Sequence, residues 1–262
     1  SRMPNVDLLG SDMIMGSGSS VIDKISYSLD GMVLDDTGYD TSFPAPHAIS
    51  INEDYSKIIT ASLTYDFITK IDLVSGLIES SSLDPNVNPD PIPDINRLKP
   101  LEIVQANGFA FITCIGGEWG VENENINGQV QVWDAETLTK VSEYEFGVNS
   151  NPWHIAHGEK ENSIYVALSG YTDGSEGESA IIKLDYSETG ELGLVWENRS
   201  SDLKLLHGID VGQYNNDLYV SSRDGSIFKL NKLTGAIVAT QNLTTDEMPY
   251  PAPGGIKIIQ TP

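Results

Sequence analysis

Short apolar runs recur along this chain at regular intervals, each separated from the next by polar turn residues. Five of them share one pattern. An apolar segment alternates in period two, ends in Asp, Asn or Ser, and passes through a polar turn, usually with Gly, into another short apolar segment. The five segments begin at Ile22, Ile68, Val130, Ile181 and Ile227. The pattern predicts antiparallel β-strands along the whole chain.

A second set of segments begins with a potential metal ligand and precedes four of these strand pairs. The segments are Pro46-His47-Ala48-Ile49, Leu101-Glu102-Ile103-Val104, Trp153-His154-Ile155-Ala156 and Leu206-His207-Gly208-Ile209. The ligands are 55, 52 and 53 residues apart, and 47 residues later Pro253-Gly254-Gly255-Ile256 has the same shape without a ligand. A repeat of this length with four short strands is typical of a β-propeller blade.

The two ends of the chain complete each other in this scheme. Residues 16–34 contain outer strands without an inner strand, and residues 255–259 form an inner strand without a blade. The sequence therefore predicts an all-β, five-bladed β-propeller, closed by pairing the C-terminal inner strand with the N-terminal outer strands. Such closure leaves no unpaired edge and predicts a monomer. The expected single domain spans residues 1–262, with blades at about 46–84, 97–147, 151–201, 205–244 and 253–262 plus 16–34, and with residues 1–15 as a leader or covering segment.

The second strands of the blades carry a family resemblance. The segments 57–62, 164–169 and 218–222 precede strands that end in Asp or Asn and a Gly turn, and in this they resemble the YVTN family of propeller repeats. The resemblance covers residues 46–240 and implies a propeller fold with an extracytoplasmic setting, periplasmic or at the cell surface.

Composition excludes several classes of function. The net charge of −23 argues against nucleic acid as a partner and favours attraction of cations. No run of eighteen apolar residues is present, which predicts no transmembrane segment. Cys114 is the single cysteine and lies in an apolar run, so it is expected to be buried, and a metal site built on thiolates is excluded.

The ring residues indicate metal chemistry. First strands line the channel of a propeller, so His47, Glu102, His154 and His207 are expected to converge at one mouth. Three imidazoles and a carboxylate suit one divalent transition metal, with Cu, Zn and Fe not distinguished. Gly254 occupies the fifth position and leaves that sector open to water or a substrate. Glu102 either binds the metal or acts as a base beside it.

Loops on the same face supply further candidates. Tyr65, Trp119, Tyr171 and Arg223 are candidate pocket-lining residues, with Gly254 beside them. Asp173, Glu176 and Glu178 are candidate oxygen ligands for calcium, although their spacing does not fit a twelve-residue calcium loop.

Three functions follow as hypotheses. The first is a propeller that captures a metal ion or metal complex, and its expected partner is that ion or another small-molecule ligand. The second is a metal-dependent enzyme of lyase or oxidase type that uses the open position. Pro46-His47-Ala48-Ile49 and His207-Gly208-Ile209-Asp210 resemble the zinc-binding repeats of peptidyl-hydroxyglycine amidating lyase. The third is an interaction scaffold without metal.

Overall fold

The computed structural model describes residues 6–10, 20–28, 31–43, 46–63, 65–84, 98–116, 126–158, 160–170, 179–212, 215–245 and 256. Within these residues the regular structure is β-strand alone, and no helix is long and apolar enough to cross a membrane.

The described strands form five antiparallel sheets. Sheet I contains β1 (Val6–Gly10), β2 (Val21–Ser28) and β3 (Gly31–Asp40). Sheet II contains β4 (Pro46–Ile51), β5 (Lys57–Ser62), β6 (Phe67–Asp72) and β7 (Ile78–Ser82). Sheet III contains β8 (Pro100–Ala106), β9 (Phe109–Cys114), β10 (Asn127–Asp134) and β11 (Thr139–Val148). Sheet IV contains β12 (Pro152–Gly158), β13 (Ser163–Leu168), β14 (Ala180–Tyr186) and β15 (Leu192–Asn198). Sheet V contains β16 (Leu206–Val211), β17 (Asp217–Ser222), β18 (Ser226–Asn231) and β19 (Ile237–Asn242).

Burial explains why the strands differ in composition. Every residue of β13 is buried, and its sequence is an almost continuous apolar run. Most of β19 is exposed, and its sequence is mixed. A strand covered on both faces needs apolar side chains on both, whereas an outer strand can turn polar residues to water. The second and third strands of sheets II to V therefore carry much of the core.

That core consists of layers between successive sheets. Ile59 and Ile68 of sheet II pack against Ile112 of sheet III, and Phe111 of sheet III packs in a layer with Val166 of sheet IV. A third layer joins sheets IV and V, and a fourth joins Ile22 to sheet II. Burying each such side chain contributes about 1.5–3 kcal/mol, so the sheets stabilise one another. Cys114 is fully buried in the first layer.

The turns after the third strands form as the sequence predicts. Asp72 accepts hydrogen bonds from the backbone N–H groups of Val74 and Ser75, and Gly76 closes the turn with φ of 74°. Asn231 and Gly235 repeat this arrangement in sheet V, where φ is 70° at Gly235. Glycine adopts this left-handed conformation without the steric cost of a Cβ.

The first strands of sheets II to V lie side by side in chain order. In addition, the second strand of each sheet contacts the first strand of the next, as β5 contacts β8 and β13 contacts β16. β1 contacts β4 in the same way, so β1 occupies the second-strand position of sheet I.

The N-terminal segment thus differs from the sequence expectation. Residues 1–15 were assigned to a leader or covering segment, but Val6–Gly10 pairs with β2 and adds a strand to the first sheet. The predicted pairing involves residues 255–259, of which the structure describes only Ile256. That residue lines the central cavity together with Ile155 and Ile209 of two first strands.

Candidate functional site

Three histidines and one glutamate lie at the beginnings of the four adjacent first strands. His47 is in β4, Glu102 in β8, His154 in β12 and His207 in β16. These strands lie side by side, and contacts of His47 with Leu101, Glu102 with His154 and His154 with His207 place the four residues at one end of the strand row. We call them the ring residues.

Each of these first strands contains an extra residue at its beginning. The register shifts between Pro46 and Ala48 in β4, between Pro100 and Glu102 in β8, and between Pro152 and His154 in β12. In β16 the shift falls between Leu206 and Ile209. A β-bulge of this kind sets two successive residues opposite one partner residue and re-aims a side chain.

The ring residues occupy two different structural positions relative to these bulges. His47 and His207 directly follow the first paired residue of their strands, whereas Glu102 and His154 stand one residue later. The four ring residues therefore do not share one equivalent position of the repeat. The sequence itself shows the difference, because Ile49 and Ile209 stand two residues after their histidines, whereas Ile103 and Ile155 directly follow Glu102 and His154.

The chain enters three of these strands through a residue in the left-handed region. Lys99 has φ of 53°, Asn151 of 45° and Leu205 of 48°. Asn tolerates this region, but a branched or long side chain pays a steric cost there. Strain at the same place in three repeats is a feature of this end of the strands, and such strain is common at binding sites.

Glu102 connects two of the sheets. The Nδ1 atom of His154 lies 2.6 Å from the Oε2 atom of Glu102, and the backbone N–H of Ile155 donates to the same oxygen at 2.8 Å. A carboxylate that accepts from an imidazole fixes which ring nitrogen carries the proton. Glu102 is thus turned toward His154 and orients its imidazole.

A row of ring systems continues from His154. The imidazole of His154 lies 4.5 Å from that of His207, and the indole of Trp153 lies 5.4 Å from His207, measured between ring centroids. The guanidinium carbon of Arg223 lies 4.7 Å above the centroid of Trp153. Arg223 was a predicted pocket-lining residue, whereas Trp153 was missed because its apolar character indicated only a strand.

His47 stands apart from this row. Its side chain is exposed, and its Nδ1 atom lies 2.9 Å from the carbonyl oxygen of Leu101 in the next sheet. A carbonyl oxygen only accepts, so Nδ1 of His47 carries the proton. Within the described part of the chain, no three His, Cys, Asp or Glu side chains form an assembled metal-binding group.

The other predicted site residues divide into two groups. Tyr65 is described and half-buried, and its backbone N–H donates to Ser62 Oγ. Trp119, Tyr171 and Gly254, together with the calcium candidates Asp173, Glu176 and Glu178, lie outside the described residues.

A cavity of about 610 Å³ lies behind the ring residues and is lined by the first strands. Glu102 lies at one part of its wall, and Glu53, Asp210 and His157 line other parts. Sequence reasoning placed only Glu102 among the channel carboxylates. Asp210 was missed, although it follows His207 by three residues within the same strand.

At this cavity His157 bonds across to a tyrosine. Its Nε2 atom lies 3.0 Å from the hydroxyl of Tyr186, which also accepts from Asn107 Nδ2 at 2.7 Å. Burial raises the pKa of Tyr186, and the hydrogen bond from Asn107 offsets part of the effect. His157 therefore belongs to a polar contact between sheets III and IV, away from the ring residues.

Comparison with known proteins identifies the architecture. The chain matches no known family profile and no curated protein sequence. Solved structures do match. A functionally unknown protein from Desulfotomaculum acetoxidans has a TM-score of 0.58 at 14% identity, over 89% of this chain and 67% of that chain. The nidogen/laminin complex structure gives 0.56 at 12% identity, over 90% and 80%. Sqt1 of Saccharomyces cerevisiae gives 0.53 at 11% identity, over 76% of this chain and 48% of its own.

These neighbours are β-propeller-type proteins. The fold is that of a β-propeller. At such identities the likeness shows the fold alone, and the chain spans about half the length of several neighbours. The first strands of propeller blades line the channel, so the row of first strands in sheets II to V lies along it. The ring residues lie at one mouth of that channel, and the cavity is its interior.

Proposed function

We propose that this propeller binds one divalent transition metal at the channel mouth and captures a metal ion or metal complex there. The ligands are the Nε2 atoms of His47, His154 and His207. The resemblance to YVTN repeats favours an extracytoplasmic setting for this activity. The observation that carries the proposal is the contact between His154 Nδ1 and Glu102 Oε2 at 2.6 Å.

Protonation supports the assignment of ligand atoms. In His154 and His47 the Nδ1 atom faces an oxygen acceptor, so the proton stays on Nδ1 and the lone pair of the neutral ring is on Nε2. Metal-binding histidines commonly donate their other ring N–H to a carboxylate or a backbone carbonyl, and both kinds of acceptor occur here.

The site assembles when the ion binds. His154 and His207 already lie in contact, whereas the exposed His47, whose Nδ1 atom lies 2.9 Å from the Leu101 carbonyl oxygen, has to move toward them. Ordering the His47 side chain as the third ligand costs conformational free energy. The affinity of the protein for the metal should therefore be moderate.

Metal titration of protein purified without an affinity tag tests the proposal. Calorimetry with Zn²⁺, Cu²⁺ and Fe²⁺, the last under anaerobic conditions, should give about one equivalent of bound metal. His207→Ala should abolish binding at this site. His157→Ala is the matched control, because His157 bonds to Tyr186 instead and should leave the stoichiometry unchanged. Less than about half an equivalent in the unmodified protein would overturn the proposal.

Catalysis is the second candidate, and the cavity behind the ring favours it. A volume of about 610 Å³ beside Glu102 and Asp210 is large enough for a small substrate. In that case the metal keeps an open coordination position, and Glu102 serves as a base. Water exchange at bound Mn²⁺ or Co²⁺, measured by nuclear magnetic relaxation, should then be fast, and the absence of exchangeable water on the metal would rule catalysis out.

We also propose that the ring of five blades closes through residues 255–259. β1 occupies the second-strand position of the first blade, and Ile256 lines the channel beside first-strand residues of two other blades. A strand at residues 255–259 would supply the missing inner strand and pair with β1.

A further inference from the structure

Arg223 and His207 lie against the same indole ring. The guanidinium carbon is 4.7 Å from the Trp153 centroid, and the His207 ring centroid is 5.4 Å from it. Arg223 comes from the loop after β17, and Trp153 precedes His154 in β12. Two neighbouring blades thus hold a guanidinium beside the proposed metal ligands.

The chemistry of Arg223 suits an anion at this place. Guanidinium that stacks on an aromatic face presents its N–H donors at the edges of its plane, where a carboxylate can accept two of them. The residue is partly buried, and burial lowers the pKa of its side chain. A cation that has lost hydration gains more from an anionic partner than an exposed one does.

The negative net charge of the protein means that an anion can bind only at a place with local positive charge. With a net charge of −23, the surface repels anions at long range. Glu102 and Asp210 add carboxylates along the channel. An anion therefore binds here only where positive charge is concentrated, and a divalent ion on His154 and His207 beside Arg223 supplies that concentration.

We propose that the metal is bound together with a small carboxylate-bearing anion, with one oxygen on the ion and a carboxylate on the Arg223 guanidinium. The captured species is then an anionic chelate, and Trp153 separates and positions the two cationic groups. This inference rests on the proposed metal site.

Succinate binding to Co²⁺-loaded protein tests the inference. Cobalt loading is measured first, from the visible absorption bands, and succinate is then titrated by calorimetry into loaded and metal-free protein. We expect binding to the loaded protein only, and a loss of about tenfold or more in Arg223→Gln, because charged hydrogen bonds are removed. Arg223→Lys keeps the charge but not the paired donors, so it should restore only part of the affinity.

The matched control is Arg199→Gln. Arg199 forms an exposed ion pair with Glu197 outside the channel mouth and should leave succinate affinity unchanged. If Arg223→Gln takes up cobalt and binds succinate as tightly as the unmodified protein, the inference is wrong and the metal site stands. If the unmodified protein takes up no cobalt, the proposed function fails and the inference fails with it. Circular dichroism verifies that each variant is folded.

Discussion

Glu102 joins two blades and orients a histidine with a single carboxylate oxygen. Its Oε2 atom accepts from His154 Nδ1 at 2.6 Å and from the Ile155 N–H at 2.8 Å. The first contact orients a ligand of the proposed site. The second contact stabilises the fold, because Ile155 is buried and its N–H group needs an acceptor. One substitution therefore tests both roles, provided that two measurements separate them.

Glu102→Ala should weaken metal binding by about 10- to 100-fold, since the acceptor that orients a ligating imidazole is lost. It should also lower the free energy of unfolding by about 1–3 kcal/mol, because the buried Ile155 N–H loses its acceptor. Metal titration and denaturant unfolding measure the two effects. Glu102→Gln keeps an oxygen acceptor and should lose less in both. Unchanged metal affinity in the alanine variant would contradict the orienting role.

Tyr165 should make the stability of the folded protein decrease at alkaline pH. The side chain is fully buried, and its hydroxyl donates to Glu161 at 2.9 Å. Burial raises its pKa, and the charge of Glu161 and their hydrogen bond raise it further. The folded protein therefore keeps this proton at a pH where the unfolded chain releases it.

The stability contributed by this proton is complete below about pH 10, the pKa of an unfolded tyrosine, and is lost as the pH rises further. Above that pH, Tyr165 should reduce the free energy of unfolding by about 1.4 kcal/mol per pH unit. Urea unfolding at pH 9, 10 and 11 measures the slope. Tyr165→Phe should show a slope shallower by this amount, and equal slopes for the two proteins would contradict the assignment.

The elements of this fold repeat, but their contacts do not. Gly76 and Gly235 close equivalent turns with similar left-handed φ values of 74° and 70°. A Cβ at Gly76 would meet nothing within 4 Å, whereas a Cβ at Gly235 would lie 2.6 Å from the Trp196 ring. Trp196 donates to the Lys232 carbonyl at 3.1 Å, which holds the indole against the turn.

Gly235→Ala should cost about 1–3 kcal/mol more than Gly76→Ala, since both pay the left-handed strain of about 1–2 kcal/mol and only the first overpacks. Each additional kcal/mol lowers Tm by about 2–4 °C in a domain of this size. Differential scanning calorimetry of the two variants measures the difference. Equal Tm values would show that Trp196 moves aside without cost.

The bulges of the first strands also shape the candidate site. They allow Trp153 and His154, neighbours in sequence, both to contact His207. A regular strand would send successive side chains to opposite faces. The site thus depends on an irregularity that is repeated in four blades.

The whole molecule depends on how its first blade is completed. Among the described strands, sheet I has three members and the other sheets have four. An unpaired edge at β1 would expose backbone donors and acceptors and invite association between chains. The proposed strand at residues 255–259 would remove that edge.

Ile258→Pro tests this closure, because proline has no backbone N–H and removes a hydrogen bond from a strand ladder. We expect a lower Tm and faster hydrogen exchange in β1, measured by mass spectrometry of its peptide. Thr261→Pro lies beyond the proposed strand and is the control. Unchanged exchange in β1 of the Ile258→Pro variant would place the closing strand elsewhere.

Periodicity predicted the antiparallel strands of four sheets. The alternation of apolar residues and the Asp or Asn turn after each third strand are local properties, so they located the strands of sheets II to V and the turns at Gly76 and Gly235. The strand Val6–Gly10 was missed, because its five residues carry too short a pattern to stand out. The regular spacing of His47, Glu102, His154 and His207 also predicted that they lie at one end of the strand row.

Local sequence therefore determined the strands, the turns and the end of the channel at which the ring residues lie, because each of these depends on neighbours in the chain. The tertiary structure decided what the ring residues touch. The direction of Glu102 toward His154, the separation of His47 from the row, and the stacking of Arg223 on Trp153 depend on bulges and on contacts between blades. Such contacts join residues 52 to 70 positions apart, and no local pattern encodes their geometry.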